Sequence, residues 1–314
     1  MLKIFLRRIA ILVPILFGIT IAVFSLEALS PSDPAEVSIR ENAMVPTPEL
    51  IALTRHELGL DQPFLTRYGH WVSGVLHGDL GKSYITGRDV AGDIAAALPA
   101  TLELAFAALL ITAVVATVSG VLCARHPGYR TDAAIRSLIF LTSAFPAFWA
   151  GMLLMWLFAV KFDLFPTSGR NGLSSVVLPA ATLSLAYIST YARLIRTEMI
   201  ETKHQNWVLF ARSRGLPERT ITAHVLLNSL RGAAVSLGMS IPKLVAGAFV
   251  VECIFAWPGI GRLCVSAIFN RDFPVIEAYV LITSTLFVLF NLASDLFIAW
   301  LDPRERMALN GSAK

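Results

Sequence analysis

The chain has 314 residues, of which 55% are hydrophobic and only 15% charged, so it carries more apolar surface than a soluble domain of that length can bury. A net charge of +4 does not signal nucleic acid, because the basic residues fall in short clusters between long apolar runs, as in the loops of a membrane protein. Three cysteines, Cys123, Cys253 and Cys264, lack metal-ligand spacing; free buried thiols are expected, with a Cys253–Cys264 disulfide as the alternative.

In chain order, uncharged stretches long enough to cross a bilayer run from Ile9 to Leu26, Leu104 to Ala124, Ser137 to Val160 and Asn171 to Ala192. Two more, Gly232 to Val251 and Ala278 to Leu301, each hold one internal charge, Lys243 and Asp295, which brings the expected count to six. The first stretch follows Lys3, Arg7 and Arg8 and is read as an uncleaved helix, since its apolar run exceeds a signal core and Pro31 would follow the cut. Basic residues gather at the N-terminus, in the second-to-third loop (Arg125, Arg130, Arg136), in the fourth-to-fifth loop and in the tail (Arg304, Arg306, Lys314). The positive-inside rule puts all four on the cytoplasmic side, with both termini.

The segment between the first two spans is too long for a connector, so an external module is expected over 31–98. Thr47-Pro48-Glu49 reads as the start of a helix that stops at Gly59: Thr caps, Pro suits the first helical position and the acid suits the positive end of the dipole. A second piece, Phe64 to Leu76, aligns Tyr68, Trp71, Val72 and Val75 at helical spacing and is expected on the membrane surface or against the first piece. His56, His70 and His77 lack accompanying cysteines and clustered acids, which disfavours a metal site. Residues 78–84, GDLGKSY, are not a nucleotide loop, because Leu76 stands where that signature needs its first glycine. The glycines are read as a tight turn.

The fourth-to-fifth loop, about 203–231, reads as a cytoplasmic helix pair. Asn206 is placed to cap the first helix, Gly215 to end it in a left-handed turn, and Pro217 and Glu218 to begin the second. Ionisable residues within spans are pathway candidates or members of structural ion pairs: Glu103, Lys243, Glu252 and Asp295. Lys243 is expected to pair with Glu103 or Asp295, or to line a pathway. In residues 255–262, FAWPGIGR, Pro258 with Gly259 and Gly261 permits a sharp turn into a short external helix that caps the bundle. Pro146 is placed to kink the third span.

Ala211, then Gly215, then Val225 and Leu227 resemble the loop that permeases of binding-protein-dependent importers insert into their ATPase subunits. That consensus reads EAA, three residues, G, nine residues, I, one residue, LP; Leu209 and Phe210 depart from its Glu and Ala, and Asn228 from its Pro. Residues 211–216, ARSRGL, resemble the ARAKGL of the peptide and nickel branch. Further likeness to that branch lies in LRR (6–8), LGLDQP (58–63), GDLGKS (78–83), LPATLEL (98–104), FAWPGIGR (255–262), RDFPVI (271–276) and LDPR (301–304).

The resemblance implies an all-α membrane protein with the six helices of a type I importer permease and a small external module between the first two. Its parts would be an N-terminus and first helix at 1–30, the module at 31–98, a five-helix core at 99–301 and a tail at 302–314. It also implies that Ala211, Arg212, Arg214, Gly215, Leu216 and Glu218 couple to the ATPases, and that Trp257, Pro258 and Gly259 flank a gate. The implied partners are a second homologous permease, two ATPase subunits carrying ATP and Mg, an external solute-binding protein and membrane lipid, with no cofactor or metal on this chain and no nucleic acid. The implied place is the bacterial inner membrane.

The cargo that the resemblance implies is nickel or a nickel chelate, on the short 161–175 loop and the likeness of 265–276 to nickel permeases, with dipeptides or oligopeptides as the alternative. A secondary transporter driven by an ion gradient is the rival from another class. No HExxH, GxSxG or paired span aspartates support an intramembrane hydrolase.

Overall fold

The structure is a computed structural model that describes residues 2–30 and 33–301, without the side chains of 2–9, 231, 295 and 297–301. The tail at 302–314 and the side chains of Lys3, Arg7, Arg8, Arg231 and Asp295 therefore lie outside the described residues. The described residues form helices and no strand, only one isolated bridge between Lys82 and Asp89. Helices Ala10–Ala28, Val90–Arg125, Leu173–Lys203 and Phe273–Ser294 are each long and apolar enough to cross a membrane. Two bent pairs, Arg130–Ala144 with Ala147–Lys161 and Glu218–Gly238 with Ile241–Ile254, bring the count to six when each pair is one crossing.

The chain divides into two compact units. Of the described residues, the first comprises 2–30, 33–101 and Pro258–Leu292, the second Leu102–Trp257 and 293–301.

In the first unit, α1 (Leu2–Ala28) carries Phe17, Thr20, Phe24 and Glu27 at spacings of three and four, one stripe of a helix. That stripe meets α4 (Phe64–Leu76). Phe24 stands edge-on to both Phe64 and Tyr68 with centroids 5.4 Å apart, Thr20 Oγ1 shares a 2.9 Å hydrogen bond with Tyr68 Oη, and Arg67 pairs with buried Glu27. Such edge-on aromatic pairs add about 0.5–1.5 kcal/mol each beyond their burial. The amphipathic piece thus packs on the first span, where the sequence had suggested the membrane surface or the Thr47 helix; the aromatic stripe of α1 is the partner that decides it.

The Thr47 helix, α3 (Pro48–Glu57), forms as expected, with Thr47 Oγ1 accepting from Leu50 N at 3.3 Å and Gly59 at φ +68° beyond its end. It lies against α2 (Pro34–Glu41), a helix the sequence reading passed over although Asp33-Pro34 signals it: Asp33 Oδ1 accepts from Ala35 N.

The GDLGKSY segment is a turn, with Gly78 and Gly81 at φ +84° and +83°. Its Ser83 Oγ and Tyr84 N both donate to the carboxylate of Asp272, which ties it to the start of α13 (Phe273–Leu301). Val90 and Ile94, at the start of α5 (Val90–Arg125), form a small core with Leu80, Val275, Ala278 and residues of α12 (Ile260–Asn270).

In the second unit, α8 (Leu173–Lys203) is the central rod, packed by α6 (Arg130–Ala144), α7 (Ala147–Leu154), α10 (Glu218–Gly238) and α11 (Ile241–Ile254). Its approach to α5 depends on Gly120. A Cβ there would stand 2.9 Å from Ile195 Cβ and 3.0 Å from the carbonyl oxygen of Ala192, so two backbones would have to separate. Gly120→Leu is expected to lower stability by about 1–3 kcal/mol or more, as overpacking does. Thermal melting of the detergent-solubilised variant checks this, and an unchanged midpoint would refute the close approach.

Two crossings are more broken than hydropathy suggested. The third bends by 104° between α6 and α7, where Pro146 holds Phe145 in an extended conformation and supplies no N–H, so the expected kink is a full break. The α7 helix continues as a π turn over Met155–Lys161. The fifth bends by 55° between α10 and α11, where Pro242 lacks the N–H that would continue the ladder. Tyr191 Oη bonds at the same place to the Ser236 carbonyl, at 2.8 Å, and to Ser240 Oγ.

Candidate functional site

The helix pair predicted around Gly215 forms. Helix α9 (Asn206–Ser213) ends in two bonds, Leu216 N to Ala211 O at 3.2 Å and Gly215 N to Arg212 O at 2.9 Å, the pattern of a Schellman cap. Gly215 takes φ +75°, a conformation that a residue with a Cβ holds at a cost of about 1–2 kcal/mol. Space is not the constraint, because an added Cβ meets nothing within 4 Å.

Arg212 Nε donates to Glu218 Oε1 at 2.8 Å across the turn, and Arg214 lies 5.7 Å from the Phe210 ring centroid. Arg212, Arg214, Gly215 and Glu218 are exposed, as are Leu209 and Phe210, while Ala211 and Leu216 are half-buried. Two details differ from the sequence reading. Gln205, not Asn206, takes the cap position, and no side chain bonds to the freed amides. The second helix does not stop before the fifth crossing: α10 is one helix from Glu218 to Gly238.

The opposite face of the pair is anchored. Val208 of α9 and Ile221 and Val225 of α10 are buried with Ile195 and Met199 of α8 and Ala124 of α5. Lys203 Nζ donates to the Ala124 carbonyl, one of the acceptors that the end of α5 leaves free, and Ser229 Oγ donates to Thr202 Oγ1 at 3.3 Å. A push on the exposed turn therefore acts on a rod that continues into the fifth crossing and is welded to the fourth.

Glu103 pairs with Arg170, at 2.6 Å, and not with Lys243. Arg170 lies in the loop before α8, outside the spans in which a partner for Glu103 was expected. Lys243 is exposed, in the first turn of α11 beside the break, and among the described residues no carboxylate pairs with it. A lysine at hydrocarbon depth costs about 2.5–3.5 kcal/mol on insertion scales, so that face needs a polar surround.

Glu252 and Trp257 are fully buried, and Trp257 N donates to Glu252 O at 2.8 Å. Ala256 between them has φ +48°, a left-handed cap made without glycine that no sequence signal announced. Pro258 is exposed and Gly259 caps α12, the short helix expected after FAWPGIGR.

Next to α12, burial raises the carboxyl of Asp272, opposed by its bonds from Ser83 and Tyr84. Burial also pushes the Cys264 thiol up to about 12, and none of the three cysteines is in a disulfide, with Cys253 exposed where a buried thiol was expected. No group of three metal-ligating side chains occurs among the described residues, and His56 bonds to Asp61 at 2.8 Å.

Sequence reasoning also missed Asp132, which is fully buried. Arg196 grips it through two bonds of 3.0 and 2.9 Å, Arg136 adds a contact at 3.2 Å and Gly128 N donates at 2.9 Å. Arg136 and Arg196 read in sequence only as basic residues near span ends, and a separation of 64 positions between Asp132 and Arg196 gives no local signal.

Residues 116–307 match the family described as binding-protein-dependent transport system inner membrane component, and residues 1–105 match its N-terminal companion. The metal-staphylopine import system permease protein CntB of Staphylococcus aureus is 39% identical over 308 residues, covering 98% of this chain and 99% of that protein. The dipeptide transport system permease protein DppB of Escherichia coli is 32% identical over 338 residues, with 98% and 99% covered. A crystal structure of the MetNI methionine ABC transporter shares the fold at a TM-score of 0.55 and 16% identity, over 67% of this chain and 96% of that one. The chain belongs to the family of binding-protein-dependent transport system inner membrane components, and is an ABC importer permease.

Proposed function

We propose that this chain forms one half of the pathway of an importer whose ATP, with its Mg, is hydrolysed on two partner ATPase subunits. A second homologous permease completes the pathway, and an external solute-binding protein delivers the cargo. The observation that carries this reading is the exposed, glycine-capped turn at Ala211–Leu216, anchored through Val208, Ile221 and Val225 to the fourth and fifth crossings. Closure of the ATPases on Arg212, Arg214, Gly215 and Glu218 would rock those crossings as a body, which is alternating access by rigid motion.

The placement of basic loops supports cytoplasmic termini, an external module over 31–98 and a core over 99–301. Lys243 and Asp295, with Glu103, Glu252 and the Trp257–Gly259 turn, are the residues proposed for the pathway or its gate.

The cargo proposed is nickel or a metal chelate, in keeping with the 39% identity to a metal-staphylopine permease against 32% for a dipeptide permease. Peptides are the second reading, since putative peptide permeases of Brucella stand between, at 36%.

Reconstitution into vesicles tests the class. Uptake is expected only when the ATPases, ATP and a loaded binding protein are present. Gradient-driven uptake by this chain alone would overturn the reading in favour of a secondary transporter. The ligand retained by the purified binding protein then decides metal against peptide.

A further inference from the structure

A cavity of about 690 Å³ in the second unit opens between α6 and α8, and the coupling turn is not part of its lining. Three guanidinium groups line it, Arg136 from α6 and Arg193 and Arg196 from α8, and no acidic side chain does. The rest of the lining is mostly apolar, with Phe140 and Leu141 exposed on the α6 wall. Helical spacing makes the arrangement: Ser189, Arg193 and Arg196 share one face of α8, and Arg136 and Phe140 share one face of α6.

The charges do not cancel. Arg196 and Arg136 both engage Asp132, so one carboxylate answers three cations. The polar contact of Arg193 is a 3.5 Å bond to Ser189 Oγ, and among the described residues no carboxylate pairs with it. Depth supports the same conclusion, because Arg193 is the first charge after the uncharged run from Asn171 to Ala192. It therefore stands where hydrocarbon gives way to headgroups.

We infer that this cavity binds an anionic phospholipid, its phosphate held by Arg193 with Arg196 and Arg136, and its upper acyl chain laid on Phe140 and Leu141. A basic pocket between crossing helices at headgroup level is the physical form of such a site. A free phosphate would leave the apolar wall wet. A protein partner would have to bring acidic groups to this depth to answer the two uncompensated charges.

Native mass spectrometry of the full-length chain in mild detergent, loaded with phosphatidylglycerol or phosphatidylcholine, tests the inference. Phosphatidylglycerol is expected to be retained preferentially. Arg193→Ala is expected to cut its retention about fivefold, the order of one basic residue at a charged headgroup, and Arg193→Lys to keep most of it. Arg193 is exposed, so neither change removes a packed side chain. Equal retention of the two lipids, or retention indifferent to Arg193→Ala, would overturn the assignment. Displacement by excess inorganic phosphate would show that a bare anion is read, and a dimer mass that excludes phosphatidylglycerol would show that a second copy fills the cavity; either result refutes the lipid.

Discussion

Gly215→Trp is expected to leave the chain folded and membrane-inserted while ATP-driven uptake falls about tenfold or more, the size of a 1.4 kcal/mol loss in coupling. The left-handed backbone at φ +75° costs a non-glycine residue about 1–2 kcal/mol, which an anchored helix pair can absorb. The open space around the glycine means that the indole meets nothing in this chain. Its bulk falls instead on whatever the exposed turn docks into.

Gly215→Ala separates the two effects, because it carries the backbone strain with little bulk. The alanine variant is expected to retain most uptake and the tryptophan variant little. Uptake measured in reconstituted vesicles, beside ATP hydrolysis in the same sample, checks both. Wild-type uptake in the tryptophan variant would remove Ala211–Leu216 from the coupling role.

Asp132→Ala is expected to lower stability by about 3 kcal/mol, the lower end of the range for stripping one partner from a buried ion pair. The lower end applies because the Arg196 side chain keeps 22% of its exposure while Asp132 has none. The substitution leaves Arg196 without its two bonds and Gly128 N without its acceptor. Removing both charges, as in Asp132→Ala with Arg196→Met, is expected to recover a large part of the loss, since the cost lies in the orphaned charge more than in the absent pair. Thermal melting in detergent measures both variants. Equal melting of the single and double variants would mean that the pair is not the source of the effect.

Much of the local structure was legible because it rests on neighbours in sequence. Thr47-Pro48, the glycines of 78–81, the Gly215 turn and the helix after Pro258-Gly259 each follow from one residue's backbone restriction or cap, which acts over a few positions. Asp33-Pro34 belongs to the same class and shows that a short helix in a polar stretch is easily passed over. The left-handed Ala256 was not legible, because nothing in alanine's chemistry asks for that conformation; it is closed by the bond from Trp257 N to Glu252 O, between the buried Phe255 and Trp257.

By itself, the sequence determined the membrane class, through uncharged runs too long for any soluble core, and it located the exposed Gly215 turn, through a glycine where no Cβ is comfortable. Both are properties of composition and of single residues. Only the tertiary structure decided which charges meet: Glu103 with Arg170, Asp132 with Arg196, Glu27 with Arg67. It also decided that the amphipathic α4 rests on the aromatic stripe of α1, and that α10 runs unbroken from the Gly215 turn into the fifth crossing. The physical reason is range. A turn or a hydropathic run is determined by adjacent residues, whereas an ion pair across 64 positions forms because helix packing excludes water there and leaves a charge no better partner.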